Sequence, residues 1–171
     1  MGGQIIPTAQ IATSKPPRTT REQIEQFLAQ KRFAAVGVSR YPKDFSRVLL
    51  KEFQHRGYEV IPVNPGIADL EGKRCYSTVQ AIDPPVSAVL LLTSPEITER
   101  VVEDCVAAGV TQLWMYRASG RGAISMSAIE TCRRHGISVI AGECPFMFFP
   151  QTGFPHRVHG LIRKIFGTYP S

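Results

Sequence analysis

At 171 residues, with 43% hydrophobic and 20% charged side chains, the chain suits one globular domain long enough to bury a full core. No apolar run reaches the ~20 residues of a membrane span, and the N-terminus lacks the basic-then-apolar order of a secretory signal, so the reading is a cytoplasmic protein without membrane attachment. The formal charge of +6 favours anionic partners. That class includes phosphorylated small molecules, and nucleic acid is disfavoured because the basic residues are dispersed and no recognised motif accompanies them.

Residues 1–18 carry Gly2, Gly3, Pro7, Pro16 and Pro17 without sustained periodicity and read as an N-terminal arm. The single domain then runs over 19–171. Thr19 or Thr20 caps a first helix, with Glu22 or Gln23 closing a capping box and Ile24, Phe27 and Leu28 forming its buried stripe. Phe33 to Val38 is an apolar run too short for a helix and reads as a buried strand. It leads into Gly37-x-Ser39, a loop with Pro42 and Asp44, and a helix near 44–56 with Val48, Leu49, Leu50 and Phe53 on its apolar side and Gly57 at its end. In such a strand–turn–helix unit, the first N–H groups of the helix point over the end of the strand, which suits a phosphate. Gly37 permits close approach, Ser39 offers a hydroxyl, and Arg40, Lys43 and Arg47 offer charge. The same residues also fit a tight turn with a solvated basic surface.

Tyr58 to Val63 reads as a second strand ending at Asn64-Pro65-Gly66. A dinucleotide-binding unit offers an acidic residue to the ribose at that point, and this chain has Asn64. A turn at Glu71-Gly72, a short edge strand at 73–76 and a short helix around 78–82 follow. Val86 to Leu92 then suits a central strand of a parallel sheet. After Thr93, Ser94 can cap and Pro95 can open a helix through Ala108, with Thr93 and Ser94 facing the first turn across the crevice. Val110 to Tyr116, the loop Arg117 to Gly122, a helix from about Ala123 to His135 and a strand Ile137 to Ala141 complete the alternation. The predicted fold is α/β: a Rossmann-like doubly wound parallel sheet in three layers, helices on both faces, with strand order 3-2-1-4-5-6 or a close variant. The segment 156–166 is predicted as a terminal amphipathic helix that packs on the domain.

Catalytic equipment is sparse, and no catalytic residue is assigned. His55 and His135 fit helix C-termini. His156 and His159 are spaced to share a metal but lack further ligands, so no metal site is assigned. Cys75, Cys105, Cys132 and Cys144 form no CxxC pair. Cys144, after the last strand, is either a reactive thiol at the crevice or a core residue beside Phe146, Met147 and Phe148. Tyr116 and Arg117 open a loop at the carboxyl edge, where open α/β sheets bind ligands.

Together, Ala35-Val-Gly-Val-Ser-Arg40, Val60-Ile-Pro-Val-Asn-Pro65, Gly72-Lys-Arg-Cys-Tyr76 and Glu143-Cys-Pro145 resemble the CoA-binding family, similar to the N-terminal domain of the succinyl-CoA synthetase alpha subunit. The resemblance covers about residues 30–150. It implies coenzyme A or an acyl-CoA as ligand, with Gly37, Val38, Ser39 and Arg40 around the phosphates, Asn64 and Pro65 near the adenosine end, and Thr93 and Ser94 on the opposite wall. Lys43, Arg47, Tyr116 and Arg117 join the candidate site from the residue reading above. The synthetase needs a second domain and a partner subunit that are not seen in this chain, so ligase activity is not carried over. The expected role is a stand-alone carrier, sensor or regulator, with a homodimer or an unidentified protein partner left open. Two alternatives stand beside it: a small NAD(P)-binding enzyme or redox sensor, and an interaction protein with a vestigial crevice.

Overall fold

The computed structural model describes residues 15–117 and 120–149. The predicted helix over 156–166, with His156 and His159, lies outside them, as does most of the N-terminal arm. Five strands, β1 (Arg32–Val36), β2 (Glu59–Val63), β5 (Ala88–Leu91), β6 (Gln112–Met115) and β7 (Ser138–Ala141), form one sheet in the order β2-β1-β5-β6-β7, parallel throughout. The chain steps outward from β1 to β2 and then returns to β5 on the other side of β1. The connections therefore diverge between β1 and β5, where open sheets of this kind leave a crevice at their carboxyl ends.

Residue alternation along the strands divides the core. Phe33 and Ala35 point to one face, where Phe27 of α1 (Arg21–Ala29) and Leu49 and Phe53 of α2 (Phe45–His55) cover them together with Trp114 and Ile140. Ala34 and Val36 point to the other, where Val102 and Cys105 of α3 (Pro95–Ala107) and Ile129 and Cys132 of α4 (Met126–Arg134) pack with Val89, Leu113 and Val139. The first layer is aromatic: Phe27 meets Phe33 at 5.3 Å and Trp114 at 5.2 Å, and Phe33 meets Phe53 at 4.8 Å. The predicted three-layer α/β architecture is thus the observed one.

The capping signals are realised unevenly. Thr20 and Gln23 form a complete capping box on α1, and Gln23 Nε2 also donates to the Val139 carbonyl at 3.4 Å, tying α1 to β7. Ser94 occupies the N-cap of α3, but its side chain makes no cap hydrogen bond.

Three expectations need correction. No helix forms over 78–82; the segment is a turn closed by the Ile82 N–H on the Val79 carbonyl, since five residues before Pro84 are too few to offset helix nucleation. The predicted edge strand is largely diverted: β3 (Asp69–Leu70) and β4 (Lys73–Arg74) form a separate antiparallel hairpin, and only Tyr76 bridges β2, parallel to Val63. Glu71 and Gly72, at φ 55° and 78°, supply the two left-handed residues that a two-residue hairpin turn requires. Finally, α4 begins at Met126 with Ser125 as its cap, because Gly122 adopts φ 54° and Ala123 donates back to the Tyr116 carbonyl at 2.8 Å.

Candidate functional site

The chain just after β1 packs against the chain just after β5 at Gly37. Its φ is +89°, and a Cβ there would stand 2.8 Å from the Leu92 carbonyl oxygen and 2.9 Å from Thr93 Cγ2. Glycine is needed both for the dihedral angle and for the space. Thr93 is thereby placed against the turn, with its hydroxyl 2.7 Å from that of Thr98.

The turn after Gly37 is held from several directions. Ser39 N–H donates to Ser46 Oγ at 2.9 Å, and Ser39 Oγ accepts from the Tyr41 N–H at 3.1 Å. Asp44 caps α2 by accepting from Ser46 N–H at 2.8 Å and Ser46 Oγ at 2.6 Å. The Ser46 donor is consequently occupied, while the Phe45 N–H at the first helical position makes no hydrogen bond to the described residues. Earlier in the turn, the backbone N–H groups of Val38, Arg40 and Lys43 likewise make no hydrogen bond to the described residues. The Val38 side chain itself is fully buried.

The basic residues divide by role. Arg40 and Lys43 are exposed at the turn, and Arg40 Nη2 reaches the Gly66 carbonyl at 3.5 Å. Arg47 is instead buried, with 3% of its surface exposed, and its Nη1 donates to the carbonyls of Ser39 at 3.2 Å and Arg40 at 3.4 Å. Its Nη2 meets Glu71 Oε1 at 2.5 Å, and Lys51 Nζ approaches the same oxygen at 2.9 Å. Arg47 therefore braces the turn from beneath and links it to the β3–β4 hairpin. The Lys51 hydrogen bond and the charges of Arg47 and Lys51 outweigh desolvation and hold the Glu71 carboxyl below the usual carboxylate range.

Asn64 joins the two strand ends. Its Nδ2 donates to the Val38 carbonyl at 3.0 Å and its Oδ1 accepts from Gly66 N–H at 2.9 Å. Beyond it lies a cleft of about 460 Å³ walled by Pro65, Gly66, Ile67 and Ala68 on one side and by Arg74, Tyr76 and their neighbours on the other. A volume of this size suits a small ligand. The hairpin is stitched to β2 to make this wall: Cys75 N–H donates to the Ala68 carbonyl, Tyr76 N–H to Pro62 and Asn64 N–H to Tyr76.

Tyr116, at the far side, is buried, and its ring stacks on Phe45 at 5.4 Å and 13°, supporting the start of α2. Its hydroxyl lies against Cys144, whose thiol is also buried. Burial pushes that thiol up despite the opposing effects of the Phe146 backbone and the Tyr116 hydroxyl, so Cys144 belongs to the core and is not poised as a nucleophile. Burial likewise raises Cys132 to about 11. Arg117 is exposed, and Ser94 is exposed at the start of α3. Glu96 beside it is held below the usual carboxylate range by its own backbone N–H, the Ser94 hydroxyl and Arg121.

Gly37, Val38, Ser39, Arg40, Asn64, Pro65 and Thr93 are thus brought together at one edge, while Arg47 and Tyr116 lie beneath it. Sequence reasoning missed Arg74, Tyr76 and Glu71 as parts of this edge. The only signal was the Gly72–Tyr76 motif, to which no role attached. Among the described residues, no helix is long and apolar enough to cross a membrane.

Residues 31–150 match the sequence pattern of a CoA binding domain. The chain is similar to the uncharacterized protein YneT of Bacillus subtilis, 29% identical over 126 residues that cover 73% of this chain and 90% of that protein. It is also similar to an ADP-forming acetate–CoA ligase of Methanocaldococcus jannaschii, 20% identical over 67% of this chain but only 17% of the ligase. A conserved hypothetical protein of Pyrococcus furiosus superposes with a TM-score of 0.62 at 28% identity, covering 69% of this chain and 98% of that one. With the pattern matched from the strand before the glycine turn through the end of the described sheet, this chain belongs to the CoA binding domain family.

Proposed function

We propose that the protein binds coenzyme A or an acyl-CoA at the carboxyl edge of β1 and β2, and works as a carrier, sensor or regulator without catalytic machinery of its own. The observation that carries this reading is the Gly37–Arg40 turn: a glycine that only a Cβ-free residue can fill, two unengaged backbone donors, and the exposed charges of Arg40 and Lys43. Such a turn suits a pyrophosphate. Asn64 and Pro65 then lie at the adenosine end, and Thr93, Ser94 and Arg117 along the opposite wall. Asn64 is a neutral amide with one acceptor oxygen, already bonded to Gly66 N–H, so it lacks the paired acceptor oxygens that the ribose-binding carboxylate of an NAD site presents.

Titration calorimetry of the purified chain with CoA, acetyl-CoA, NAD⁺ and NADP⁺ tests the reading. Saturable binding of the two CoA species is expected, with Arg40→Ala weakening both by roughly 1–3 kcal/mol through loss of a charge-assisted contact. Preference for NAD⁺, or no binding by a folded protein, overturns it.

A further inference from the structure

The cleft beside the β3–β4 hairpin adds a second cationic position to the edge. Arg74 stands on its wall with its guanidinium carbon 4.6 Å from the centre of the Tyr76 ring. Stacking of this kind fixes the plane of the guanidinium while leaving its N–H fork directed outward. No hydrogen bond or ion pair joins that fork to any of the described residues, and no carboxylate lines the cleft. The acid opposite Arg74 in the hairpin register is Asp69, whose Oδ1 accepts from Gly72 N–H at 2.9 Å. The cleft and the glycine turn share a border, because Arg40 Nη2 reaches the carbonyl of Gly66 on the cleft wall and Asn64 spans Val38 and Gly66. A nucleotide with its 5′-phosphates at the turn can therefore lay its ribose over Asn64 and Pro65 and its base in the cleft, which brings the ribose hydroxyls toward the hairpin. A guanidinium on the cleft wall is suited to meet an anionic group carried on that ribose.

We propose that Arg74 recognises a phosphate on the ribose of the bound adenosine, at the 3′ position, and so selects CoA over its 3′-dephospho form. This rests on the CoA reading of the glycine turn and extends it to a specificity-determining residue. Tyr76 is the positioning residue that holds the guanidinium flat.

The test is calorimetric titration of the full chain, Arg74→Ala and Arg74→Lys with CoA, 3′-dephospho-CoA, adenosine 3′,5′-bisphosphate and NADP⁺, after a thermal melt of each variant. Arg74 is exposed on a two-residue strand, so both variants are expected to fold. The wild type should bind CoA roughly tenfold more tightly than dephospho-CoA; Arg74→Ala should erase the difference by weakening CoA alone, and Arg74→Lys should keep part of it. Equal binding of the two forms by the wild type, or equal weakening of both in Arg74→Ala, overturns the role of Arg74 while leaving CoA binding intact. If neither CoA form binds, the reading of the turn falls. Arg74-dependent binding of the bisphosphate would then retain the ribose-phosphate site, and its absence would remove that as well. Stronger binding of NADP⁺ moves the phosphate to the 2′ position and overturns the 3′ assignment.

Discussion

The two ends of the sheet's carboxyl edge are built from opposite materials. On the β1–β2 side, polar groups stitch one loop to another: Asn64 joins Val38 to Gly66, and Arg47 joins Ser39 and Arg40 to Glu71. The cations left over, Arg40, Lys43 and Arg74, are exposed. On the β6–β7 side, Tyr116, Cys144 and Phe149 are buried, Trp114 Nε1 donates to the Glu143 carbonyl at 2.9 Å, and Arg121 is paired with Glu96. One end holds its backbone with polar ties and keeps three cations exposed. The other is packed with buried aromatic residues and leaves Arg117 as its exposed cation with no ion pair among the described residues. The lesson is that counting basic residues along an edge does not find a phosphate site. What matters is which of them are already committed, and by that measure Arg47 belongs to the scaffold and Arg40 and Arg74 to the surface.

This contrast can be broken most severely at Gly37. Gly37→Ala places a methyl group 2.8 Å from a backbone oxygen at a left-handed φ, and should cost about 2–4 kcal/mol in urea unfolding and abolish CoA binding. Retention of both would mean that the close approach of the two strand ends is dispensable. A smaller effect, confined to stability, is expected on the sealed side: Tyr116→Phe removes a buried hydroxyl and should cost about 1 kcal/mol while leaving CoA affinity unchanged. A matching loss of affinity would make Tyr116 part of the binding surface.

The subtlest difference concerns acid. The Glu71 carboxyl is depressed below its ordinary value near 4.5, so the stability it adds is present above that value and is lost as pH falls through the lower folded value. Urea midpoints should decline below about pH 4.5. The decline should be shallower in Glu71→Gln, with part of it remaining because Glu96 and Glu130 are depressed as well. Superimposable acid limbs would show that the Arg47–Glu71 tie adds nothing to the fold.

Much of this was legible in the residues. The apolar run Phe33 to Val38 marks the strand and its turn, and the capping-box signal at Thr20 and Gln23 marks the first helix, whereas the cap at Asp44 is seen only in the structure. Alternation of such units fixes a parallel sheet, because each strand must be buried on both faces. What escaped the sequence depended on direction. Arg40 and Arg47 are equivalent as letters, yet one projects outward while the other folds back beneath the turn. The reason is Glu71, 24 positions further along the chain. The role of Arg74 was hidden for the same reason: only the hairpin turn at Glu71 and Gly72 carries β4 away from the main sheet and sets Arg74 over Tyr76. The start of α4 was misplaced because a glycine read as loop composition in fact forces a left-handed residue just ahead of Ala123.

The most direct measurement is an amide chemical-shift map of the isotopically labelled protein titrated with CoA. The account predicts that the largest shifts fall on Val38, Arg40, Gly66 and Tyr76, with the unengaged N–H groups of Val38 and Arg40 moving most. Shifts centred instead on Gly120, Ile124 and Gly142, with Val38 and Arg40 unmoved, would contradict it and transfer the site to the opposite end of the sheet.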